Sequence, residues 1–154
     1  MKFLVDTNIL SEPTKPQPNP RVEQWIADLE ADFYTSSLVI AELLNGLEML
    51  PEGERKHRLA GQIEKLVEKL GGRILSFNLR VAQEWVRLQA ELRLKGQTMP
   101  WEDGIIAATA RHHGLTLATH NTADFVHAGV RLFDPFTYGA RSEGAAAPPS
   151  ESSS

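Results

Sequence analysis

Four acids stand at positions where an α/β chain tends to build its sites: Asp6, Glu42, Asp103 and Asp124. Asp6 ends the apolar run Lys2 to Val5 and is followed by Thr7 and Asn8. The run Leu115 to Thr119 ends in the same manner, passing into Thr119-His120-Asn121-Thr122-Ala123-Asp124. Sites of open parallel sheets form outside the carboxyl ends of their strands, so two parallel strands would bring both polar clusters to one edge. Asp103 falls in the first turn of a helix, where the helix dipole favours a negative charge. At about 100° per residue it shares a face with Ile106, Ala107 and Ala110, and an acid aligned with a small apolar face is expected to be partly buried. Glu42 lies opposite the stripe of Ile40, Leu44 and Leu47, beside Asn45 and Met49, which puts it in solvent or on the wall of a cleft. Taken singly, each acid has an ordinary explanation. An Asp after a strand forms turns, a first-turn Asp stabilises its helix, and a helical Glu is commonly solvated. Gathered in one cleft, carboxylates of a chain without cysteine suit a hard, oxygen-preferring cation, Mg²⁺ or Mn²⁺. Such an ion would also relieve their mutual repulsion.

The elements that must position these residues alternate between strand and helix. Lys2 to Val5 reads as a strand, and Pro13, Pro16, Pro18 and Pro20 then impose an extended loop. Arg21 to Glu30 carries Val22, Trp25, Ile26 and Leu29 at helical spacing. Phe33 to Thr35 is a brief strand. Ser36 or Ser37 can cap a helix to Leu50 with Ile40, Leu43, Leu44, Leu47 and Leu50 on one face. Glu54 to Leu70 is a second amphipathic helix, halted by Gly71-Gly72. Arg73 to Phe77 reads as a strand, and Asn78 caps a helix to Lys95. Pro100 suits the first turn of a helix running to His113, ended by Gly114. Leu115 to Thr119 is a strand, and Val130 to Phe133 an edge strand. Strands joined by helical crossovers predict an α/β protein: a three-layer α/β/α sandwich around a small, mainly parallel sheet.

Composition sets the outer limits. The chain has 154 residues, of which 42% are hydrophobic and 23% charged, the make-up of one ordinary globular domain. Residues 139–154, GARSEGAAAPPSESSS, hold no large apolar residue, so the expectation is a domain over 1–138 and a disordered tail. No apolar run nears the roughly 20 residues of a membrane span. Asp6 interrupts the N-terminal apolar stretch too early for a signal peptide. A cytoplasmic protein without membrane contact is expected. The net charge of −4 gives no global basic footprint for nucleic acid.

Four segments in order carry a resemblance: LVDTNILSE from Leu4 to Glu12, Ser-Leu-Val-Ile-Ala-Glu-Leu-Leu-Asn-Gly around Glu42, Asp103-Gly-Ile-Ile-Ala-Ala-Thr-Ala, and Leu117-Ala-Thr-His-Asn-Thr-Ala-Asp-Phe. Together they resemble PIN-domain ribonucleases, and within these the VapC-type toxins of the FitB-like branch, over Met1 to about Thr137. The resemblance implies that Asp6, Glu42, Asp103 and Asp124 are the catalytic acids and the ligands of Mg²⁺ or Mn²⁺. It also implies that Thr7, Asn8, Thr119 and Asn121 orient those ligands or a water. Glu102 precedes Asp103, but the helical face and the following Ile-Ile-Ala-Ala favour Asp103. Where His120 stands, family members often carry a basic residue.

The implied activity is hydrolysis of RNA phosphodiester bonds by metal-activated water, in the toxin of a type II toxin–antitoxin pair. A cognate antitoxin and a homodimer are the implied partners. An acidic chain acting on RNA is consistent if the ion supplies positive charge at the scissile phosphate. Basic residues at Arg55, Lys56, Arg58, Lys65, Lys69 and Arg73, and at Arg87, Arg93 and Lys95, form either a rim for RNA or simply the solvated faces of amphipathic helices. A haloacid-dehalogenase-like phosphatase would need an acid where Asn8 stands, and nucleotide-binding glycine patterns are absent. The remaining alternative is a catalytically inactive PIN-like module that binds RNA or a protein.

Overall fold

A computed structural model of the chain describes residues 1–140. The tail set apart by composition lies, from residue 141 on, outside the described residues. The strands are β1 (Phe3–Val5), β2 (Phe33–Ser36), β3 (Ile74–Leu75), β4 (Thr116–Ala118) and β5 (Leu132–Phe133). They form one sheet in the order β3-β2-β1-β4-β5, and every pairing is parallel. The α-helices are α1 (Thr7–Leu10), α2 (Pro20–Leu29), α3 (Ser37–Glu48), α4 (Glu54–Leu70), α5 (Leu79–Leu94) and α6 (Trp101–His113).

Alternation along the strands divides the core into two layers, as a sheet covered on both faces requires. Leu4 and Leu117 pack with Val39 of α3, Leu88 and Leu92 of α5, and Ile106, Ala107 and Ala110 of α6. Phe3, Val5 and Phe33 pack on the opposite face with Val22 and Trp25 of α2 and Leu70 of α4. Trp25 is its centre, stacked on Phe33 at 4.5 Å between ring centroids and edge-on to Phe3 at 5.1 Å. The expected α/β/α sandwich is present.

Local signals act largely where they stand in the chain. Ser36 Oγ accepts the Val39 N–H and starts α3, and Asn78 Oδ1 does the same for α5 through Val81. Asn19 caps α2 through the N–H groups of Arg21 and Val22, so that helix begins at Pro20. Gly114 ends α6 at φ +66°, a conformation that favours glycine. The strand expected over Arg73 to Phe77 is shorter, because a helical turn at Gly71–Arg73 precedes β3. Arg73 has a clamping role there: its guanidinium donates to the carbonyls of Glu30, Ala31, Phe33 and Lys69. It thereby ties the end of α4 to the entry of β2.

Candidate active site

Strand register positions Asp6. Leu4 pairs with Leu117 and Val5 with Ala118 across β1 and β4, so Asp6 and Thr119 emerge side by side at the carboxyl edge. Thr119 Oγ1 donates to Asp6 Oδ2 at 2.8 Å. Asp6 Oδ1 accepts the Thr7 N–H at 2.8 Å and caps α1. Asn8 Nδ2 lies 3.2 Å from both Asp6 Oδ2 and Thr119 Oγ1, while Asn8 Oδ1 accepts the His120 N–H at 3.0 Å. Burial pushes the Asp6 carboxyl above its ordinary range against the pull of the Thr119, Thr7 and Asn8 donors, and the Asp124 charge pushes the same way.

Asp103 is partly buried in the first turn of α6, and its companions Ile106, Ala107 and Ala110 are buried. Burial, then the charges of Asp6, Asp124, Glu42 and Glu102, push its carboxyl up to about 6. Glu42 is exposed on α3, yet Thr7 Oγ1 donates a short hydrogen bond to its Oε1. Asp124 is exposed on the turn Thr122–Phe125, which buried Phe125 anchors in the core. Asn121 is exposed, and its N–H donates to Thr119 Oγ1 at 3.1 Å. Four carboxylates from four parts of the chain thus share one electronegative edge.

Among the described residues, no three such side chains are close enough to hold a metal ion as they stand. The donor set nevertheless fits a hard divalent cation, because it is all oxygen and because like-charge pressure on Asp103 is what such an ion relieves.

Beside this edge, Thr7 and Glu42 are among the residues that line an apolar cleft of about 520 Å³ between α1, α3 and α4, with Leu10, Leu43, Leu47 and Leu66 on its walls. Leu43 and Leu47 of the α3 stripe, with Leu50 just beyond the helix, therefore form a groove wall, Leu44 is exposed, and Val39 is the residue that α3 buries in the core. A second cleft of about 340 Å³ shares Arg55 and Gln62 with the first and adds Arg58 and Lys15. Most of the other basic residues are engaged locally: Lys56 with Glu52, Lys69 with Glu30, Arg87 with Glu84, and Lys95 with the His127 carbonyl.

Comparison with known proteins agrees with this geometry. The PIN domain family matches residues 3–130. Toxin FitB of Neisseria gonorrhoeae is 40% identical over 136 residues, covering 87% of this chain and 98% of that protein. VapC ribonuclease Y4jK of Sinorhizobium fredii is 35% identical over 136 residues, covering 87% and 97%. The crystal structure of FitAcB from Neisseria gonorrhoeae matches with a TM-score of 0.83 and 39% identity over 87% of this chain and 98% of that one. On the family match over residues 3–130 and these relatives, the chain belongs to the PIN-domain family, in the branch that holds FitB and VapC.

Proposed function

We propose that the protein is a metal-dependent endoribonuclease and the toxin of a toxin–antitoxin pair. The observation that carries this reading is the convergence of Asp6, Glu42, Asp103 and Asp124 on one strand edge, with Asp103 pushed up to about 6 by burial and then by the charges of its neighbours. Relatives named as toxins and VapC ribonucleases support it. Asp6, Glu42 and Asp103 would hold Mg²⁺ or Mn²⁺, with Asp124 bound directly or through water. When bound, such an ion supplies Lewis acidity and a water of lowered pKa.

The remaining work falls to the chain itself. Thr119 and Asn8 hold the Asp6 carboxylate in one orientation, and Thr7 does the same for Glu42. Asp103, raised by burial and by the four neighbouring carboxylates, is the acid whose charge a bound cation would relieve most.

An antitoxin partner follows from the same relatives, since solved neighbours include FitAB bound to a DNA fragment, with a TM-score of 0.82 and 38% identity. The apolar cleft lined in part by Thr7 and Glu42 supplies a seat for its segment next to the acids. A homodimer also belongs to this reading: Leu79 and Val86, one heptad apart on α5, are 72% and 58% exposed. Action on RNA in the cytoplasm is part of the same reading; among the described residues no helix is long and apolar enough to cross a membrane.

The test is cleavage of RNA with Mg²⁺ or Mn²⁺, with Asp6→Asn and Asp103→Asn in parallel. Cleavage lost in both variants upholds the reading. An inert wild type that still binds metal overturns it in favour of an inactive binding module. Sedimentation as a monomer would remove the dimer.

A further inference from the structure

His120 is fixed on three sides. Its N–H donates to Asn8 Oδ1 at 3.0 Å, tying the residue to the side chain that also touches Asp6. Its ring stacks on Phe136, with centroids 3.8 Å apart and planes inclined by 26°. Its Nδ1 lies 3.2 and 3.1 Å from the two carboxylate oxygens of Asp134. Phe136 packs against the Trp25 core, and its N–H is held by Asp134 Oδ1. One ring face and the Nδ1 edge are therefore covered, yet half of the side chain remains open to solvent. None of these contacts lies on the opposite ring face or at the Nε2 edge.

A rigid aromatic face left open one residue from Thr119 resembles the platforms on which proteins stack bases of single strands. We propose that the open face of His120, backed by Phe136, receives an unpaired nucleobase flanking the phosphate at the acid edge. The inference rests on the ribonuclease reading for its substrate class. Phe136 supplies stiffness and Asp134 fixes the ring plane, so little side-chain freedom is lost when a base stacks. Because every base has a π-face, the platform sets the position of the strand and requires it to be single-stranded, without demanding a particular base.

The experiment uses the full chain and a fluorescently labelled single-stranded RNA, together with a matched series in which one nucleotide at a time is abasic. Binding is read by anisotropy and cleavage by initial rates with Mg²⁺. The wild type should lose roughly tenfold in affinity and in KM at one abasic position beside the cleaved bond. His120→Ala should lose a similar factor on intact RNA and become indifferent to that abasic position, with kcat nearly kept. His120→Phe should restore the wild-type pattern. Thermal melts check that each variant is folded. If His120→Ala binds intact RNA as tightly as the wild type, or keeps the abasic sensitivity, the platform is overturned. If His120→Phe behaves like His120→Ala, the contact is through imidazole nitrogen and stacking is again overturned. Binding that follows the expected pattern in a protein that cuts nothing upholds the platform and removes the nuclease reading alone.

Discussion

Replacing Asp103 with Asn should stabilise the metal-free protein. The Asp103 carboxyl moves from 3.8 to about 6 on folding, driven by burial and then by the charges of Asp6, Asp124, Glu42 and Glu102. A raised folded-state value means that the native state holds the proton more tightly than the unfolded chain does. The group's contribution is fully present below about pH 4 and is lost as pH rises through 6. At neutral pH the ionised carboxylate therefore opposes folding. A shift of about two units corresponds to about 3 kcal/mol, and screening by solvent at this partly open edge reduces that to about 1–2 kcal/mol. For a chain of this size the expected rise in Tm is about 3–6 °C. The assay is thermal unfolding followed by circular dichroism in chelator, for wild type and Asp103→Asn, from pH 4 to neutral. The gap between them should be full at neutral pH and close near pH 4. Mg²⁺ should raise the wild type toward the variant. A variant of equal or lower Tm at neutral pH, or a gap that does not narrow toward pH 4, would refute the claim that repulsion and burial govern this edge.

Three further outcomes are expected. Thr119→Val keeps the buried shape but removes the donor to Asp6 Oδ2 and the acceptor of the Asn121 N–H, and should slow RNA cleavage about 10–100-fold in initial-rate measurements. Gly104→Ala would bring a Cβ within 2.9 Å of Trp85 Nε1 and 3.1 Å of Gln89 Nε2, prising α6 from α5. A loss of about 1–3 kcal/mol in denaturant titration is expected, partly recovered by adding Trp85→Phe. Arg73→Ala leaves four carbonyls without their shared donor and should cost about 2–3 kcal/mol, seen as a Tm lower by roughly 5–10 °C. Arg73→Lys should recover only part of this, since one ammonium lacks the guanidinium's geometry.

The parallel sheet and the meeting of Asp6 with Thr119 were legible from the chain, because both follow from strands ending in polar clusters and from crossover connections. The burial of Ile106, Ala107 and Ala110 beside Asp103 was equally readable from helical period. Other features were not. α1 spans four residues, too few for a period to register, and exists because Asp6 caps it. The stripe on α3 has the same spacing whether it covers a core or lines a groove, and periodicity does not separate the two. Thr7 and Glu42 meet across 35 residues of sequence, a pairing set by how α3 packs on α1. The His120 stack depends on Phe136 and Asp134 beyond β5, so a histidine given no site role from the sequence is held in place by tertiary contact.

The bond between Asp6 and Thr119 joins residues 113 positions apart, and β1, the first strand made, is the middle strand of the sheet. During synthesis β1 can pair early with β2 but must wait for β4 on its other side, and every chain stopped short of Thr119 lacks the donor to Asp6 and the fourth acid, Asp124. Such non-local closure is slow and comes late in folding. A ribosome-bound fragment of that length therefore carries an incomplete edge, which closes only after α6, β4 and the turn bearing Asp124 have been released together. Growth of the chain is thus its own safety catch, in force before any partner arrives.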